Sequence, residues 1–74
     1  MIKTQDERQR IGRLIATIRL EKHLTQQQLA DKVCISREHL SRIESGRYAV
    51  GLDILAKIAD VLGREINLTE KGGQ

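Results

Sequence analysis

The sequence predicts an all-α domain of four to five helices with a short C-terminal β-strand, and three observations carry that reading. Apolar residues recur at i, i+3, i+4 and i+7, as in Ile11, Leu14, Ile15 and Ile18. Two capping boxes, Thr4 with Glu7 and Thr25 with Gln28, stand just ahead of such stretches. Proline is absent, and five of the six glycines (Gly46, Gly51, Gly63, Gly72 and Gly73) fall at predicted element ends.

The first helix opens at Thr4 and fades near Lys22 and His23, with His23 complementing the helix dipole. Gly12 lies inside it at a cost of about 1 kcal/mol relative to Ala, so a neighbouring helix is expected to approach closely there. The second helix follows the Thr25 box, with Leu29, Ala30 and Val33 inward and Asp31 and Lys32 outward. Val33-Cys34-Ile35 makes a turn, and Ser36 caps a third helix whose inner residues are Leu40 and Ile43. Ile35 staples its entry, and Gly46 supplies a left-handed residue after its end. Gly51 or Asp53 begins a fourth helix that Gly63 ends. Leu52, Leu55, Ala56, Ala59 and Leu62 share one of its faces, while Ile54, Ile58 and Val61 share another. That exceeds what one small core uses and points to an oligomer interface. Residues 65–69 alternate polar and apolar at period two, which suggests a strand within a tail over 64–74. Nothing else in the chain reads as strand, so a symmetric partner would have to pair with it.

The 74 residues make a single domain, 1–74, near the lower size limit for a self-sufficient core. One cysteine excludes an internal disulfide, and no metal site is expected without a Cys/His quartet. Cys34 and His39 are two ligands at a spacing that makes no site, and Cys34 is expected to be a buried structural thiol. No cofactor is expected. No apolar run approaches the roughly 20 residues that span a bilayer, and the first ten residues are too charged for a signal peptide. A cytoplasmic protein with no membrane partner is the expectation. Thirteen Lys and Arg against ten Asp and Glu, a net charge of +3, suit a polyanionic partner. The one aromatic residue, Tyr48, argues against single-strand or RNA recognition by stacking.

The rest of the chain is organised around residues 25–46, two short helices joined by a tight turn. A major groove of about 12 Å admits one helix, which needs an inner face held by a core and an outer face of hydrogen-bonding side chains. The third helix has both. Arg37 and Arg42 can each bond guanine bidentately, and Glu38 can accept from cytosine or hold Arg42 at i, i+4. Ser41 on the same face is a further candidate base contact, or a small residue that lets the backbone approach. The second helix would cross the phosphates, with free N–H groups at Gln26 and Gln27 as a cradle. Thr25, Ser36, His39, Arg47 and Tyr48 are the further candidate phosphate contacts; Tyr48 reads equally as a lid on the core edge.

With these residues in place, the chain resembles the lambda-repressor-like helix-turn-helix family, also called Cro-type or XRE-type. The likeness covers a core over 11–62, with the helix-turn-helix proper at 26–45. It rests on Arg19, the TQQQLADKV block, Ser36, Leu40, Ile43, Glu44-Ser45-Gly46 and LDILAKIADVLG. The resemblance implies a buried Arg19–Glu44 ion pair tying the first helix to the end of the third. The chain departs from the family pattern at two places. Cys34 stands where Gly is usual, which implies a non-Gly residue at positive φ, and Val50-Gly51 replaces Pro-Ser.

The function expected from this reading is sequence-specific binding of double-stranded DNA by a homodimeric transcriptional repressor. Residues 36–44 would enter the major groove at each half of a pseudo-palindromic operator. Ile54, Ile58, Val61, Ile66 and Leu68 form the expected dimer interface. The alternative is an antitoxin-like module, similar to HipB-type proteins, that also captures a toxin protein. An enzyme is not expected, because no nucleophile–base constellation or phosphate loop is present.

Overall fold

The computed structural model describes residues 3–70. Gly72 and Gly73, and the last part of the expected tail, lie outside the described residues. Among those described, the elements are α1 (Thr4–Glu21), α2 (Gln26–Val33), α3 (Arg37–Glu44) and α4 (Leu52–Val61). There are thus four helices and not five among these residues.

Local chemistry accounts for most of the boundaries. The N-cap of α1 lies one residue before the predicted one: it is Lys3, whose carbonyl accepts from the Asp6 and Glu7 N–H groups at 3.0 and 3.3 Å. Thr4 is itself helical, so its hydroxyl caps nothing, a correction to the first box. The second box forms in full: Thr25 Oγ1 accepts from the Gln28 N–H at 3.0 Å, and Gln28 Oε1 accepts from the Thr25 N–H at 2.8 Å. Ser36 Oγ accepts from the His39 N–H at 3.0 Å and starts α3. Gly51 precedes α4 with no side-chain cap, as a chain lacking Ser at that place must.

All four helices end in the same way. A left-handed residue follows each one: His23, Cys34, Gly46 and Gly63, at φ of 59°, 67°, 78° and 71°. The next N–H then bonds back to a carbonyl five residues earlier, Leu24 to Arg19, Ile35 to Ala30, Arg47 to Arg42 and Arg64 to Ala59. These bonds satisfy carbonyls that the helix end would otherwise orphan. The expected strain at Cys34 is therefore present. Cys34 is also exposed, not buried as expected. A left-handed C-cap turns its side chain away from the helix that it ends.

The core consists of Ile15, Leu29, Ala30, Val33, Leu40, Ile43, Ile58 and Leu62. α2 lies at its centre, packing on both α3 and α4, while α1 packs on α3. Gly12 is buried where a Cβ would overlap the backbone carbonyls of Ile43 and Glu44. α1 therefore crosses the end of α3 at backbone contact distance, as expected of a mid-helix glycine.

α4 corrects the face assignment. Ile58 is 1% exposed and belongs to the core, so it has no surface to give a dimer interface. Leu52 is 69% exposed and Ala56 is exposed, although they share a face with the buried Leu62. The buried face takes residues from both apolar stripes, Ile58 from one and Leu62 from the other, as α4 packs against α2. Residues 64–70 form no strand within the chain. With no second strand to supply a ladder, the alternating pattern cannot organise the backbone alone.

Candidate DNA-binding face

α3 is held by its inner residues, with Leu40 at 0% and Ile43 at 1% exposure. Its outer residues then have no choice but solvent. Arg37, Glu38 and Arg42 are exposed, and Ser41 is half-buried beside them. Glu38 lies 3.7 Å from Arg37 Nη2 and forms no pair with Arg42, contrary to the i, i+4 expectation. At about half exposure or more on both side chains such a pair is a weak one, and both groups can exchange it for other partners. The guanidinium groups of Arg42 and Arg47 have no hydrogen bond or ion pair among the described residues.

The first turn of α2 lies beside this helix. Its side chains are already engaged: Gln27 Nε2 donates to Asp31 Oδ1 at 2.8 Å and Gln26 Nε2 donates to Glu44 Oε1 at 2.9 Å. What remains to offer an anion is the pair of backbone N–H groups of Gln26 and Gln27, which helix geometry leaves without partners. Thr25 and Ser36 are likewise occupied as caps on their own helices.

His39 and Tyr48 do not stand side by side as independent surface contacts. Their rings meet edge-on, 4.6 Å apart at 80°. His39 Nε2 is out of solvent without a hydrogen-bond partner, so this nitrogen is not presented to a phosphate as the structure stands. Tyr48 is 43% exposed and closes a small apolar recess with Ile11, Ile43, Val50 and Leu55. Tyr48 is thus a lid on the core edge with an outward edge left in solvent.

One buried polar network joins these parts. Arg19 Nε and Nη2 donate to Glu44 Oε2 and Oε1 at 2.7 and 3.1 Å. Arg19 Nη1 donates to the Leu24 carbonyl at 2.8 Å. The side chains are only 10% and 6% exposed, so this fork is the ion pair that the sequence resemblance implied. The Leu24 and Gln26 bonds were not foreseen. Gln26 and Glu44 are eighteen residues apart, and no local spacing announces such a contact.

A helix-turn-helix family model matches residues 15–68. The chain belongs to the lambda-repressor-like helix-turn-helix family. The family is one of DNA-binding transcription regulators and not of enzymes. Among the relatives, the immunity repressor protein of Bacillus phage phi105 is 42% identical over 57 residues, 77% of this chain and 40% of the relative. The ImmF control region 10 kDa protein of the same phage is 39% identical over 59 residues, 80% of this chain and 66% of that one. Among solved structures, the clp gene regulator ClgR from Corynebacterium glutamicum superposes with a TM-score of 0.77 at 31% identity, covering 78% of this chain and 62% of that one. This chain therefore spans less than half of the immunity repressor and under two thirds of the ClgR chain. No helix among the described residues is long and apolar enough to cross a membrane.

Proposed function

We propose that this helix-turn-helix protein is a homodimeric transcriptional repressor that reads duplex DNA with the outer face of α3. The observation that carries the reading is the division of α3 itself. Leu40 and Ile43 anchor it in the core, while Arg37, Glu38 and the unpaired Arg42 stand outward on one side. Arg37 and Arg42 are the guanine readers, each good bidentate contact being worth about 1–3 kcal/mol of discrimination. Glu38 accepts from a base or returns to Arg37, and Ser41 lets the backbone approach the groove. The backbone N–H groups of Gln26 and Gln27, with Arg47 and the outer edge of Tyr48, meet phosphates and set the register.

A symmetric dimer would present two such helices about 34 Å apart, one turn of duplex. A shallow groove of about 220 Å³ between α1 and α4, lined partly by Leu14, Leu55 and Ile66, supports that arrangement. Ile66 and Leu68 are 45% and 98% exposed, which suits pairing of residues 65–69 with their copy. Ile54 and Val61 flank the core and contribute only their outer edges.

The test is selection of bound duplexes from a random pool at about 150 mM salt, where non-specific binding is suppressed. The wild type is expected to enrich one two-fold-symmetric site, and Arg37→Ala/Arg42→Ala to lose that preference. Salt-sensitive binding with no enriched site would remove the sequence-reading role.

A further inference from the structure

We propose that Gln26 is a positioning residue for duplex binding, locking the start of α2 to the end of the reading helix through Glu44. This rests on the DNA-binding reading above and assigns a role within it. Both Glu44 carboxylate oxygens act as acceptors, Oε2 and Oε1 from Arg19 and Oε1 also from Gln26, so it is the Nε2 donor of the Gln26 amide that faces it. The bond is 2.9 Å long and shares Oε1 with Arg19 Nη2. Arg19 in turn holds the Leu24 carbonyl, two residues before Gln26 on the same connection. The chain entering α2 is therefore gripped at two points by groups fixed to Glu44.

The geometry matters because of what each end carries. α2 begins at Gln26 with its free N–H groups, whereas α3 ends at Glu44 after presenting Arg37 and Arg42. The turn over 34–36 joins the opposite ends of these helices, so it does not fix the separation of the start of α2 from the end of α3. The Gln26–Glu44 bond closes that side. Backbone-contacting and base-contacting elements then meet the duplex at one spacing, which pre-organises both sets of contacts. The two neighbouring glutamines differ in this respect. Gln27 bonds Asp31 within α2 and cannot influence the angle between the helices.

The experiment compares the full chain with Gln26→Met, which keeps length and helix propensity but removes the donor, and with Gln27→Met as a control for the stability cost of losing one glutamine side-chain bond. Binding is measured on the selected duplex and on a random-sequence duplex of the same length. Residual dipolar couplings of the free proteins report the orientation of α2 relative to α3. Gln26→Met is expected to bind the selected duplex five- to twentyfold more weakly, with a melting temperature close to that of Gln27→Met and with α2 couplings reduced relative to those of α3. Binding of Gln26→Met within twofold of wild type overturns the proposal. So does weakened binding with unchanged couplings, which would make Gln26 itself a duplex contact. Failure of the wild type to bind either duplex overturns the DNA reading, whereas the other two results leave that reading standing.

Discussion

Glu44→Ala probes the polar network at its most connected point. The substitution removes three hydrogen bonds, two from Arg19 at 2.7 and 3.1 Å and one from Gln26 at 2.9 Å. Arg19 keeps only the Leu24 carbonyl, and its side chain is 10% exposed, so a guanidinium charge is stranded in the interior. Breaking a buried pair from one side costs about 3–5 kcal/mol. A domain of 74 residues has a total stability of about 4–11 kcal/mol at the usual density per residue. The loss is thus about a quarter of the total at least and can exceed it. At about 4–8 °C per kcal/mol for a domain of this size, the melting temperature falls by 12 °C or more. Thermal unfolding followed by circular dichroism measures this, with urea unfolding as a second readout. The double variant Arg19→Leu/Glu44→Leu is expected to recover much of the loss, because no charge is then left unpaired. A fall of under about 3 °C for Glu44→Ala, or no recovery in the double variant, refutes the reasoning.

Three other perturbations test separate parts of the account. Gly12→Ala pushes a methyl group into the Ile43 and Glu44 carbonyls and is expected to cost about 2 kcal/mol or more; a melting temperature equal to wild type would mean that α1 can move off α3 freely. Cys34→Gly relieves a left-handed backbone at φ 67° and is expected to stabilise by about 1 kcal/mol; a lower melting temperature contradicts the strain. Ile66→Asp/Leu68→Asp alters two side chains at 45% and 98% exposure. It is expected to convert a dimer into a monomer by light scattering at tens of micromolar; a wild type already monomeric there removes the dimer.

Where the interactions are short-range, the sequence was a sufficient guide. The Thr25 box, the Ser36 cap and the left-handed Gly46 all lie within a few residues of the groups they satisfy. The inward residues of α2 and α3 were readable for the same reason, since helical spacing alone separates Leu29, Val33, Leu40 and Ile43 from their exposed neighbours. The first box misled because Thr4 and Lys3 compete for one capping place, and a backbone carbonyl won.

What the chain order determined is therefore the four helices, most of their ends and the polar outer face of α3. Each depends on residues one to five positions apart. Tertiary packing decided the rest. It drew the buried face of α4 across both apolar stripes, placing Ile58 and Leu62 inside and Leu52 outside, because helical spacing alone does not say which edge of each stripe meets the core. It also turned Gln26 onto Glu44 and His39 onto Tyr48. Those contacts join residues that become neighbours only after α1, α2 and α3 have closed on one another.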